Sequence, residues 1–195
     1  MNKSASTRLD ILQKAFELIY KNGYQATSID VIIASTNVTK GAFFYHFKNK
    51  ESMGLALIEE VLSPGMYASM VRPLETSEDI LEAIYQMMEG LLIDNPFFNI
   101  AYGCPAINLI EEMGPLNEAF ADALRKIVLQ WQEAIQKSLY EAQESGRIAK
   151  NTSPQQAALF ITAGYGGVRN MGKILGKNCY LTYLKAFKHY LSTLK

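Results

Sequence analysis

The stretch ATSIDVIIASTNVTKGAFFYHFKNKESM, residues 26–53, decides how the chain is read. Thr27, with Asp30 three residues on, opens a helix that turns Ile29, Ile32 and Ile33 inward. Ser35-Thr36-Asn37 breaks it, and a short helix follows from Thr39 to about Tyr45. Asn49 then caps a longer helix. Upstream, Leu12, Ala15, Phe16 and Ile19 recur at i, i+3, i+4 and i+7. Thr7 with Asp10 reads as a capping box for that first helix, and Gly23 as its stop. Two short helices joined by so brief a break must cross at a wide angle. The turn then needs a residue that tolerates a left-handed backbone, which Asn37 supplies, and an apolar plug just after it, which Val38 supplies. Thr7–Met53 therefore reads as a helix-turn-helix, with Phe16, Ile29, Ile32, Val38, Phe43 and Phe47 as its small core.

The polar residues of this stretch suit a nucleic-acid duplex. Lys40, Gly41 and Ala42 form the first turn of the second helix; the small residues allow close approach, and Lys40 can donate to guanine O6 or N7. Tyr45, His46, Lys48 and Lys50 cluster at its exit, where phosphates are held by Lys, Tyr and helix N-termini. Lys50 stands in the first turn of a helix, where the dipole disfavours a cation and a docked phosphate would remove the conflict. Charge segregates in the same sense. Residues 1–50 carry seven basic against three acidic side chains, and the rest of the chain twelve against sixteen.

In register, Thr27, Ile29, Ile32, Val38, Thr39, Gly41, Phe43, His46, Phe47, Asn49, Lys50 and Glu51 match T-x-[IV]-x-x-I-A-x-x-A-G-V-[ST]-x-G-x-[LF]-Y-x-H-F-x-[NS]-K-[ED]-x-L. The stretch thus resembles the N-terminal signature of the TetR family of transcriptional repressors. Four departures stand out: Ile33 for a small alanine, Thr36-Asn37 for Ala-Gly, Phe44 for a tyrosine, and Met53 for a leucine. The resemblance implies DNA contacts by Ser28, Thr39, Lys40, Gly41, Ala42, Tyr45, His46, Lys48 and Lys50, and a roughly palindromic operator read by a homodimer.

Beyond this unit the punctuation is Ser63-Pro64-Gly65, Pro73, Asn95-Pro96, Gly103 with Pro105, Gly114-Pro115, Gly146 and Ser153-Pro154. It separates helical runs at about 49–62, 77–94, 106–113, 116–145, 154–175 and 180–194. No run of alternating residues argues for a sheet. The expected fold is all-α: a DNA-binding domain over residues 1–51 and a helical ligand-binding and dimerisation domain over 52–195. The resemblance implies that the last two long helices pair with those of a second subunit. Ala157, Ala158, Ala163, Gly164, Gly166 and Gly167 would let the backbones approach. It also implies a ligand cavity among the central helices, for which Tyr67, Met70, Met88, Tyr102, Trp131 and Tyr165 are the expected lining. Arg169, alone on a mostly apolar helix, could meet an anionic ligand group or an acid across the dimer. Tyr102–Met113 is similar to the Gly-Cys-x-x-x-Asn-Leu stretch of some family members that sense electrophiles or oxidants, which makes Cys104 a candidate reactive thiol.

The chain's 195 residues, 49% hydrophobic and 19% charged, suffice for a real core. Two distant cysteines are no disulfide framework, and neither an apolar signal core nor a run of ~18–20 apolar residues is present. The expectation is a cytoplasmic protein. Two histidines without nearby paired carboxylates, no glycine-rich phosphate loop and no metal-ligand spacing argue against an enzyme, a metal site or a cofactor. The functional expectation is a repressor released by a small apolar or electrophilic inducer. The alternatives are an activator of the same fold, or a thiol-based sensor acting through Cys104. A helical interaction protein that never touches DNA is the rival class.

Overall fold

The computed structural model describes residues 3–75, 77, 79–95 and 97–195. Pro96 of the Asn95-Pro96 break, and residue 78 of the expected 77–94 run, lie outside the described residues. Among those described there is no strand, and eleven helices follow one another. They are α1 (Lys3–Asn22), α2 (Ile29–Ala34), α3 (Lys40–His46), α4 (Lys50–Leu57), α5 (Ser63–Met70), α6 (Arg72–Glu75), α7 (Ile80–Glu89), α8 (Pro105–Met113), α9 (Glu118–Glu144), α10 (Pro154–Leu175) and α11 (Lys177–Ser192). Single π-helical turns follow α4 (Ile58–Leu62) and α7 (Gly90–Asp94).

The chain falls into two compact units. The first comprises residues 1–65 together with 105–125. Its core holds Ile11, Leu12, Ala15, Ile19, Ile32, Phe43, Phe47 and Met53, whereas Phe16, Ile29, Ile33 and Val38 are only half-buried. This unit extends past residue 51 because α8 and the start of α9 pack on the helix-turn-helix. A Cβ on Gly54 would meet Phe120 at 2.6 Å and Tyr24 at 2.7 Å, and the Tyr24 and Phe120 rings stand edge to face at 4.9 Å. Gly54 is thus a point of contact that no other residue fits.

Four local expectations are corrected. Thr27 does not open α2: Ser28 caps it, and the Thr27 hydroxyl instead donates to Gly23 O (2.7 Å). Thr7 lies inside α1, which begins at Lys3, so Thr7 and Asp10 do not cap it. Asn37 does not adopt a left-handed backbone; among the described residues only glycines have positive φ. The Ser35 hydroxyl donates to Ile32 O (2.7 Å) and the Thr36 hydroxyl to Ile33 O (2.9 Å). Those side chains close the end of α2, and the turn needs no left-handed residue. Ser63-Pro64-Gly65 does not end a helix. In the π turn, Ser63 N donates five residues back to Ile58 O, which shifts the hydrogen-bond frame just before Pro64, the residue with no N–H to give.

The second unit comprises residues 66–104 and 126–195. Met88, Ile135, Leu139, Ile161, Tyr165, Tyr180 and Phe187 are buried in it. Ser153 caps α10, with Pro154 in its first turn; Gly176, at φ 72°, makes the corner into α11, which starts at Lys177 rather than at 180. Gly172 lets the Tyr180 phenol lie against α10, since a Cβ there would overlap the ring. The small residues of α10 do not share one face: Ala157 and Ala158 are buried within the unit, while Ala163 and Gly167 are exposed. Gly164 lies under the Tyr183 hydroxyl.

Candidate nucleic-acid interface

α2, α3 and α4 each start on a side-chain cap, so their directions are set locally. Ser28 Oγ accepts from Val31 N (3.2 Å) at α2, and Thr39 Oγ1 from Ala42 N (3.2 Å) at α3. Asn49 forms a reciprocal box with Ser52 at α4, its Oδ1 accepting from Ser52 N at 2.8 Å. Thr39 is therefore occupied as a cap, but its exposed position still presents the start of α3 outward.

α3 divides cleanly. Phe43 is buried, and its ring lies 5.6 Å from that of Phe47. Lys40, Gly41, Phe44 and Tyr45 are exposed, Tyr45 at 78%, and Ala42 and His46 are half-buried. Lys40 Nζ lies 3.1 Å from Asp30 Oδ1. Both groups are largely in solvent, where such a pair is worth at most ~1 kcal/mol and yields readily to another anion. Gly41 has nothing nearer to its missing side chain than Thr39 Oγ1 at 4.0 Å, so a surface can come down directly on its backbone.

Arg8, which the sequence reading did not single out, holds the far end of this helix. Its Nη1 donates to His46 O (3.1 Å), its Nε donates to Glu60 Oε2 (3.1 Å), and its guanidinium covers the Phe47 ring at 4.5 Å. A cation on a last-turn carbonyl satisfies an orphan acceptor and complements the helix dipole. No local pattern signals a pairing 38 residues apart.

Lys48 is exposed, but Lys50 is turned back onto the chain. Its Nζ donates to Gln25 O (3.2 Å) and sits 4.4 Å from the Tyr24 ring centre. Partial burial lowers its pKa, and the Glu112 charge pulls it back up. The conflict with the α4 dipole is thus met inside the protein. Glu112, on α8, was also missed: its carboxylate accepts from Tyr24 N (2.8 Å) and Gln25 N (2.7 Å), straddling the corner at Gly23 (φ 91°). Burial, reinforced by Glu51 and Glu112, pushes the Tyr24 phenol up to about 12.

In the second unit, Met70, Met88, Cys104, Trp131, Tyr165 and Arg169 are all buried. Trp131 stands edge to face on Tyr165 (5.2 Å), and its indole N–H points at Met87 Sδ (3.4 Å). Arg169 donates to Gly103 O, next to Cys104, and the Lys173 stem lies across Gly103. Tyr102 is half-buried. Tyr67 is apart from these: its hydroxyl donates to Glu75 (2.7 Å), and it lines a groove of about 430 Å³ with Val71, Leu74 and the polar side of α9. Among the described residues no cluster of side chains could hold a metal ion, and no helix is long and apolar enough to cross a membrane.

Comparison with known proteins agrees with this architecture. Residues 11–57 match the bacterial regulatory proteins of the tetR family, and residues 73–187 the tetracyclin repressor-like C-terminal domain. The HTH-type transcriptional repressor DhaR of Mycobacterium sp. (strain GP1) is 26% identical over 167 residues, covering 82% of this chain and 79% of its own. An HTH-type transcriptional regulator of Lactococcus lactis subsp. lactis, from the lacX 3' region, is 30% identical over 154 residues, covering 79% and 78%. The reduced form of E. coli NemR superimposes with a TM-score of 0.82 at 19% identity, over 96% of each chain. With its N-terminal helix-turn-helix and its helical C-terminal unit both matched, the chain belongs to the TetR family of transcriptional regulators.

Proposed function

We propose that this regulator is a repressor that binds a palindromic operator as a homodimer and leaves it when a small apolar or electrophilic molecule binds the second unit. One observation carries the DNA half of this reading. Lys40, Gly41 and Tyr45 are exposed, while the buried Phe43, the Arg8 clamp and the Thr39 cap hold the helix from behind. A preorganised, small-residue, cationic helix start fits a major groove. Ser28, Thr39, Lys40, Gly41 and Ala42 approach the bases and adjoining backbone; Tyr45, His46 and Lys48 approach phosphates. Lys50 contributes through the field of a charge held at the α4 start.

The dimer reading rests on α10, where Leu159, Phe160, Met171, Ile174 and Leu175 are exposed large apolar side chains on a helix whose other face is core. Ala163 and Gly167 lie between them. The ligand reading rests on the buried methionine and aromatic cluster around Trp131 and Tyr165. Fluorescence anisotropy on the gene's own upstream DNA tests the proposal. Affinity should fall steeply with salt, by ~0.9 log unit per phosphate contact, and two subunits should bind each site. Binding that ignores salt and sequence would refute it.

A second trigger is favoured by the cations beside Cys104: Arg169 donates to the carbonyl of Gly103, and the end of the Lys173 side chain lies across that glycine, so a thiolate there would be stabilised once the fully buried sulfur is uncovered. In this reading an electrophile that alkylates Cys104 releases the operator. Release by a maleimide that persists in Cys104→Ser would exclude it.

A further inference from the structure

Arg169 has a buried charge and no buried partner for it. It is 1% exposed, and among the described residues no carboxylate lies within 4 Å of it. Two of its nitrogens donate to backbone carbonyls, Nη1 to Leu91 (3.4 Å) and Nη2 to Gly103. Its Nε, also buried, has no acceptor. Two rings complete the enclosure, Phe98 at 5.0 Å and Tyr180 at 5.6 Å from the guanidinium carbon. The Tyr180 hydroxyl, whose oxygen the Arg169 guanidinium approaches as a donor, is likewise buried without an acceptor for its own proton.

A guanidinium cannot shed its proton, so it cannot escape the cost of burial as a lysine would. Carbonyl dipoles and ring faces offset part of that cost. They supply no opposite charge, and an ion without one is costly to bury. Two unsatisfied donors beside an uncompensated cation suit an acceptor that carries one negative charge. The apolar ring surfaces beside them favour an organic anion over a strongly hydrated one. The carbonyls that hold Arg169 come from the π turn after α7 and from the residue before Cys104, and Arg169 stands on α10 four residues after Tyr165 of the proposed ligand cluster. π turns interrupt a helix at some cost and recur at functional sites.

We infer that Arg169, with the Tyr180 hydroxyl, forms the anchor for a small organic monocarboxylate, whose oxygens accept from Nε and from the phenol while its body lies against Phe98. This rests on the reading of the second unit as an effector-binding module and names the chemical class of the effector. Charge-assisted bonds from a guanidinium fork to a carboxylate are the strong kind, and burial strengthens them further.

The test uses the full-length protein dialysed free of small acids, with acetate, butyrate and benzoate as probes. Butyramide and benzamide are the neutral matches, and chloride is the inorganic control at equal ionic strength. At about 100 times its Kd a bound carboxylate should shift the unfolding equilibrium about 100-fold. The amides should do nothing, and Arg169→Met should lose the response. Should Arg169→Met fail to fold, the wild-type Arg Nε–H resonances carry the test, one of them moving downfield with carboxylate and not with amide. Stabilisation by chloride alone, or equally by the amides, overturns the proposal. So does the absence of any carboxylate response together with a thiolate absorbance lost in Cys104→Ser, which would make Cys104 the counter-charge. Operator binding separates this idea from the one beneath it. Carboxylate binding that leaves operator affinity unchanged upholds the anchor and refutes release by ligand. Release by neutral compounds, with no carboxylate bound, does the reverse.

Discussion

At the scale of single residues, exposure separates recognition from scaffolding. Tyr45 is 78% exposed and meets the His46 ring edge to face at 5.0 Å, so its side chain contributes little to folding. Tyr45→Phe removes one hydroxyl. We expect an unchanged melting temperature and operator binding about tenfold weaker, the value of a hydrogen bond to a charged group, read by anisotropy. Tyr24 is the opposite case. Its folded pKa of about 12 exceeds the ordinary 10.0, so the unfolded chain loses this proton first. Its contribution is present below pH 10 and disappears as pH rises to 12, reaching about 2–3 kcal/mol. Urea unfolding at pH 9 and 11.5 should therefore show a smaller loss for Tyr24→Phe than for the wild type; equal losses would contradict the assignment. Cap residues such as Thr39 and Asn49 were legible from sequence because they act over three residues. The inward turn of Lys50 was not, because Gln25 and Glu112 come from other elements.

At the scale of elements, α8 acts as a clasp on the helix-turn-helix. Its Glu112 satisfies two backbone N–H groups at a corner where Gly23 has ended α1 and α2 has not begun. Glu112→Ala leaves both donors without this acceptor. The expected loss is about 2 kcal/mol, since the site is only partly buried and water recovers some of the bonding. Thermal melts check this, and Glu112→Gln, which keeps an acceptor oxygen, should recover about half. The same scale explains what periodicity read well and what it did not. Long amphipathic runs such as 154–175 were legible because an apolar stripe must face a core. The Ser63-Pro64 region was misread because proline normally stops a helix, and a π turn that accommodates it leaves no pattern in the sequence. Asn37 failed similarly: the hydroxyls of Ser35 and Thr36 did the work expected of a left-handed residue.

At the scale of the whole molecule, the open question is what covers α10. The sequence pointed to its small residues, yet Ala157 and Ala158 are spent on the unit's own core. The exposed side instead carries bulky residues, with Ile174 at 86% exposure and Leu159, Phe160, Met171 and Leu175 beside it along the helix. Leaving this many apolar side chains in water costs solubility, and burying each one returns ~1.5–3 kcal/mol. A second copy of the same face is the simplest cover, because a two-fold interface needs only self-complementarity. Ile174→Glu places two like charges near the axis of such a pair without disturbing the monomer, where the residue touches mostly solvent. We expect the variant to sediment as a monomer with an unchanged helical signal. Its operator affinity should fall by about 100-fold or more, because the two half-sites would no longer be held by linked subunits. A variant that remained dimeric with full affinity would place the subunit contact elsewhere, on a face that does not include the last turns of α10.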